Sequence, residues 1–216
     1  TPLHSSAASD VYKRQGTNII NSPNAIKIFN EKIFAMEFSD FMPPTIISAD
    51  SKRIEEFLKI HEEIVIKPLN GMGGDNIYKV SLDDSESLKK IIDLTEDSKI
   101  QIIGQKFLSK INEGDFRILV IDGEPFDYCL ARIPKDGSFL GNLAKGGKGV
   151  AKKITSKQKE IGDKIGARLK SENILFAGID IIDDKLTEIN ITSPTCAVEI
   201  FNQTGENPIT KIFDSL

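Results

Sequence analysis

The chain has 216 residues, 39% of them hydrophobic, enough for a sizeable core in one or two domains. Its 28 basic and 32 acidic side chains leave a net charge of −4, so no global field points to nucleic acid or an anionic membrane, and any anion site must be local. The two cysteines, Cys129 and Cys196, have no metal-ligand spacing, and no apolar run approaches the roughly 18 residues of a membrane span, so a reducing cytoplasm is the expected setting.

Residues 1–15, TPLHSSAASDVYKRQ, carry no periodicity and are expected to be a non-native leader. Residues 24–38 place Ile26, Phe29, Ile33 and Phe34 at helical spacing, which predicts one helix that buries these four and leaves Lys27 and Lys32 less buried. The MPPT segment at 42–45 ends it. A second helix is predicted in DSKRIEEFLKIHEE, capped by Asp50 or Ser51, with Ile54, Phe57 and Leu58 inside. Strands IVIK and NIYKV then flank a glycine turn at 70–74, Ser85–Leu94 reads as a helix capped by Ser85, and QIIGQKFL returns as a strand.

In the second half, FRILVI and FDYCLARI are joined by DGEP, a hairpin pattern because Asp-Gly tolerates positive φ. Ile161, Ile165 and Leu169 recur along one face of a helix over 157–170. Strands LFAGIDII and KLTEINIT follow, and one short helix is expected after SPTC. The elements predict an α+β fold of two lobes, 16–104 and 105–216, with a ligand cleft between them.

The sharpest cluster is GIDIIDDKLTEIN. A three-residue loop at Asp183–Lys185 would set Ile182 against Leu186 and Asp180 against Glu188, with Asn190 on the same face and Ile179, Ile181, Ile189 and Ile191 turned to the core. Two facing carboxylates raise each other's pKa unless a cation lies between them, and an all-oxygen set suits Mg²⁺; the competing reading is a solvated hairpin. NGMGGDN is neither a Walker A loop nor a GxGxxG fingerprint. Its glycines let backbone N–H groups close on an anion beside Lys67, although such a turn is more often only a turn. The 141–150 segment, GNLAKGGKGV, has the texture of a basic, mobile lid or a plain connection. Arg117 and Arg132, set in apolar strand text, call for an anionic substrate group or a carboxylate partner.

Taken together, NEKIFA, IVIKPLNGMGG, GDFRILVIDGEPFDYCLARIP, GNLAKGGKG, FAGIDII and LTEINITSPTC resemble the bacterial glutathione synthetase family of ATP-grasp ligases over residues 18–216. The resemblance implies the ATP-grasp fold, with antiparallel sheets enclosing ATP, and a reaction that joins γ-glutamylcysteine to glycine through an acyl phosphate, using ATP and Mg²⁺, or Mn²⁺. It implies Lys32, Lys67, Gly71, Gly73 and Gly74 at the phosphates, the backbone of Gln105, Lys106, Phe107 and Leu108 at adenine, and Asp115 near the ribose. Asp180, Glu188 and Asn190 match the metal ligands. Arg117, Arg132 and Asn142 match the residues around the transferring phosphoryl group, and Ser193 matches a position beside the peptide substrate. The chain departs from the family at Leu140 and Lys148, where arginines are expected, and is expected to lack a first domain that binds peptide and shapes a homo-oligomer. Another ATP-grasp carboxylate–amine ligase, or a nucleotide-binding fragment without turnover, remains as an alternative.

Overall fold

The computed structural model describes residues 10–17, 19–71 and 74–215. In chain order it holds α1 (Pro23–Ile28), α2 (Glu31–Ala35), a 3₁₀ turn (Met36–Phe41), β1 (Thr45–Ser48), α3 (Ser51–His61), β2 (Glu63–Pro68), β3 (Tyr78–Ser81), α4 (Ser87–Leu94) and β4 (Ile102–Lys106). Then come β5 (Asp115–Ile121), β6 (Glu124–Ile133), β7 (Lys148–Lys153), α5 (Ser156–Ser171), β8 (Phe176–Ile182), β9 (Lys185–Asn190), α6 (Ala197–Thr204) and α7 (Pro208–Asp214).

Two antiparallel sheets result, one ordered β1-β4-β2-β3 and the other β7-β6-β5-β8-β9. Helices α3 and α4 cover the first through Ile54, Leu58 and Ile91, which meet Ile64, Ile66, Val80 and Ile102. On the second sheet, strand alternation sends Ile118, Val120, Ile179 and Ile189 to the face covered by α5, while Leu119, Ile121 and Leu130 face α6 and α7. The expected boundary at residue 104 falls inside β4. Moreover, α1 and α2 belong with the second sheet, because Ala25, Phe34 and Ala35 lie in its core.

The predicted helix over 24–38 is broken. Phe29 is extended at φ −93° and ψ 108°, and the Asn30 side chain accepts hydrogen bonds from Lys32 and Ile33 N–H, starting a new helix. The restart changes which face is inside: Ile33 is 47% exposed, whereas Lys32 is only 4% exposed. Two smaller expectations also change. Glu86, with no side-chain cap bond, stands at the N-cap of α4 in place of Ser85, and two helices close the chain where one was predicted.

The hairpin at Asp122–Gly123 has φ values of 49° and 84°, both in the left-handed region that the Asp-Gly pair tolerates. At the second hairpin the turn has two residues, Asp183 and Asp184, so Ile182 pairs with Lys185 and Ile181 with Leu186, one step from the predicted register. A bulge between Asp180 and Ile181 then leaves Thr187 extra and restores Asp180 opposite Glu188. The cause is legible in burial. Leu186 and Ile189, three positions apart, are both fully buried, which strict alternation cannot achieve.

Candidate active site

One face of the second sheet carries a polar row. Asp115 lies opposite Arg132, Arg117 opposite Asp180, and Asp180 opposite Glu188, with Asn190 two residues on, facing Gly178. Arg117 donates to Asp180 through Nε and through Nη2, the latter at 2.8 Å. Arg132 bridges Asp115 at 2.6 Å and Asp180 at 2.9 Å. Asn190 Nδ2 donates to Asp180 Oδ2 at 3.2 Å. Both arginines therefore find carboxylate partners, one of the two expected outcomes.

The cations expected beside the facing carboxylates are supplied, at Asp180, by the two arginines. Burial pushes the Asp180 carboxyl up, but Arg117 and Arg132 outweigh it and hold that group well below the usual carboxylate range. Glu188 is met by Lys32, whose Nζ lies 3.0 Å from Oε1 and also donates to Gly71 O at 3.0 Å. Protein cations already relieve the repulsion. The donor set still fits a hard cation, since Asp180, Glu188 and Asn190 offer only oxygens and Glu188 keeps 21% of its side chain open. Among the described residues no group of three or more His, Cys, Asp or Glu side chains could hold a metal ion.

Lys67, near the end of β2 in the four-stranded sheet, stands among Glu188, Lys32, Asp115 and Asp180 and is 8% exposed, with no ion pair or side-chain hydrogen bond among the described residues. Burial lowers its ammonium pKa, and Glu188 partly offsets that effect. The Asp115 carboxyl is pushed up by burial against the pull of Arg132. Its Oδ1 and Arg132 Nε are buried without a hydrogen-bond partner, two unfilled positions at one end of the row.

Gly74 and Asp75, at the end of the glycine turn, meet the 141–147 segment. A Cβ on Gly74, at φ 85°, would lie 3.3 Å from Asn142 Oδ1, and Lys145 Nζ pairs with Asp75 at 2.6 Å. Gly71 is packed against Pro68, and Gly73 lies outside the described residues. The 141–150 segment is not one open loop: Leu143–Lys145 form a 3₁₀ turn, and Lys148 onward is β7, with exposed Lys148 paired to Ile133. Leu140 N–H donates to Ser138 Oγ at 3.1 Å.

At the end of β4, Lys106 N–H donates to Pro44 O and Phe107 N–H to Glu63 O, at 2.9 and 3.0 Å. Buried Gln105 turns its side chain to Thr45. Leu108 N–H has no hydrogen-bond partner among the described residues and is a free donor at this edge. Ser193 is exposed in the segment after β9, where Pro194 crosses Gly178 and Cys196 takes a positive φ of 89°.

Sequence reasoning missed two groups here. Asn30 donates from Nδ2 to Leu69 O at 3.1 Å, and its place before Glu31-Lys32 was a legible helix-cap signal. Glu31, raised in pKa by burial and then by Glu188, stands at the same edge and carries no comparable sequence signal.

Residues 31–205 match the family model for the prokaryotic glutathione synthetase, ATP-grasp domain. The glutathione synthetase of Nitrosomonas europaea is 42% identical over 214 residues, 99% of this chain and 67% of the relative. That of Shewanella oneidensis is 46% identical over 188 residues, 87% of this chain and 60% of the relative. The chain thus spans about three fifths to two thirds of the curated relatives it matches. Among solved structures, the ATP-grasp ligase PsnB, complexed with minimal precursor, Mg and ADP, aligns at TM-score 0.68 and 19% identity over 97% of this chain and 65% of that one. D-alanyl-alanine synthetase A from Vibrio cholerae aligns at TM-score 0.62 and 14% identity over 91% and 66% of the two chains. These likenesses establish the ATP-grasp fold.

Proposed function

The chain belongs to the prokaryotic glutathione synthetase family of ATP-grasp proteins, and from that premise we propose that it carries the ATP site of a ligase that joins γ-glutamylcysteine to glycine. The observation that carries this reading is the polar row from Arg132 to Asn190 on one sheet face, with Lys32 and Lys67 brought to it from other elements.

In the proposed reaction the cysteinyl carboxylate of the dipeptide attacks the γ-phosphorus of ATP and ADP leaves. The glycine amine nitrogen then attacks the acyl carbon of the acyl phosphate, inorganic phosphate departs, and the amine proton passes to solvent. Neither step needs a protein nucleophile. Both need neutralisation of charge on transferring oxygens and alignment of reactants.

Lys67 suits the phosphates because it is buried and has no side-chain partner of its own among the described residues. Lys32 joins it, and Gly71, Gly73 and Gly74 let backbone amides approach. Arg117 and Arg132 would share their donors between Asp180 and the transferring phosphoryl group, with Asn142 at the lid beside them. The free N–H of Leu108 is suited to an adenine acceptor, the unfilled Asp115 Oδ1 to a ribose hydroxyl, and exposed Ser193 to the peptide. Asp180, Glu188 and Asn190 would hold Mg²⁺, whose charge when bound draws the phosphate oxygens together.

The test is ADP release by this chain with Mg²⁺ and ATP on addition of γ-glutamylcysteine and glycine, with glutathione identified by mass. Stimulation by both substrates is expected. Nucleotide binding without any substrate-dependent ADP would leave a nucleotide-binding fragment and overturn the ligase reading for this chain.

A further inference from the structure

The glycine turn is held by the opposite lobe. Leu69, Asn70 and Gly71 follow directly from β2 of the four-stranded sheet, yet two side chains from the start of α2 grip their carbonyls. Asn30 Nδ2 donates to Leu69 O at 3.1 Å and, more weakly, to Asn70 Oδ1 at 3.4 Å, and Lys32 Nζ donates to Gly71 O at 3.0 Å. Helix α2 itself is fastened to the five-stranded sheet, where Phe34 and Ala35 are 2% and 0% exposed in its core. A five-residue helix has little stability of its own, so its cap and its packing must hold it.

Asn30 therefore works with both ends of its amide. Oδ1 accepts from Lys32 N–H at 3.0 Å and Ile33 N–H at 3.2 Å, which only the oxygen can do, so the NH₂ group must point toward the turn. We infer that Asn30 is a positioning residue that sets the glycine turn against Glu188 and so determines how tightly the cleft takes a nucleotide. It acts through Leu69 and Lys32 and does not itself touch the reacting atoms. The inference rests on the proposed nucleotide site for its consequence, but the tether is a property of the nucleotide-free fold.

The two duties of the side chain can be separated. Asn30→Asp keeps an oxygen for the helix cap and removes the donor to Leu69 O; Asn30→Ser does the same without adding charge; Asn30→Ala removes both. Carbonyl ¹³C chemical shifts of 69–71 in nucleotide-free protein, thermal melting and titration with Mg-ATP should be read together. Asp and Ser variants are expected to melt with the wild type, shift the Leu69 carbonyl resonance that loses its donor, and bind Mg-ATP about tenfold more weakly, a loss of about 1.4 kcal/mol. Ala should lose melting temperature as well. A wild-type Leu69 carbonyl shift in both Asp and Ser variants would overturn the inference, whatever the nucleotide result. A changed carbonyl shift with unchanged Mg-ATP affinity would overturn its link to binding, while absence of Mg-ATP binding by the wild type would instead overturn the proposed function.

Discussion

At the scale of single residues, the site is a chain of buried charges whose members depend on one another. Asp180 has a side chain only 5% exposed and is the shared partner of Arg117 and Arg132. Removing its charge strands two buried guanidinium groups, so Asp180→Asn should cost about 3–5 kcal/mol, read as a fall in melting temperature. A variant that melts with the wild type would mean that the arginines find other partners. The acid side gives a second reading. Because the folded carboxyl lies below its ordinary value, its contribution is complete above the ordinary aspartate pKa and is lost as pH falls through that value toward the lowered one. Asp115, raised by burial, acts with the opposite sign and is relieved on acidification. The stability profile of Asp180→Asn should accordingly be flatter below pH 5 than that of the wild type, a window taken from the usual aspartate range. Glu188→Gln removes the other carboxylate of the proposed Mg²⁺ set and should shift the Mg²⁺ dependence of ATP binding by tenfold or more, about 1.4 kcal/mol. An unchanged titration would remove Glu188 from that set.

At the scale of elements, local rules and packing disagree in informative places. The hairpin of β8 and β9 reaches the predicted Asp180–Glu188 pairing by a different path, a shorter turn followed by a bulge, because Leu186 and Ile189 must both face the core. The odd spacing of these two apolar residues was visible in the text, but the bulge that it requires is a property of two paired strands. A second close fit was not singled out at all. Gly166 of α5 lies so near the Asp122–Gly123 turn that a Cβ there would overlap Gly123 O, and a Cβ on Gly162 would lie 2.7 Å from Pro125 Cβ. Gly166→Ala gains helix propensity but forces the helix off the β5–β6 turn, and overpacking of this kind costs about 1–3 kcal/mol. Melting temperature should fall; a rise would show that the helix shifts at no cost and that propensity wins. The break between α1 and α2 follows the same logic, since one continuous amphipathic helix over 24–38 would have buried Ile33 and exposed Lys32.

At the scale of the whole molecule, the candidate site is made of parts that no single sheet owns. Lys67 comes from the four-stranded sheet, the polar row from the five-stranded sheet, and Lys32 from a helix that precedes the first sheet in sequence but packs on the second. A nucleotide that binds across these parts should stabilise them together. Mg-ATP at about 100 times its dissociation constant adds about 2.7 kcal/mol to a fold that binds it only when native. A rise in melting temperature is expected, larger with Mg²⁺ than with ATP and EDTA, and no rise would count against the nucleotide site. Among the described residues no helix is long and apolar enough to cross a membrane.

The sequence by itself determined seven of the nine strands, the Asp-Gly hairpin, the α+β class and the polar identities of the row, because alternation, Asp-Gly turns and fixed side-chain chemistry act over a few residues, while the family was legible as a resemblance of whole motifs; β1 and β7 carried no such local pattern. Only the tertiary structure decided what those side chains meet. Arg117 and Arg132 were legible as cations in need of anions, but their choice of Asp180 depends on which strands become neighbours. Lys32 read as a lysine on an outer helix face, and Asn30 was passed over, because both draw their environment from residues 39 or more positions away along the chain. Long-range contacts of this kind are set by the packing of α2 on the second sheet, and no local pattern encodes that choice.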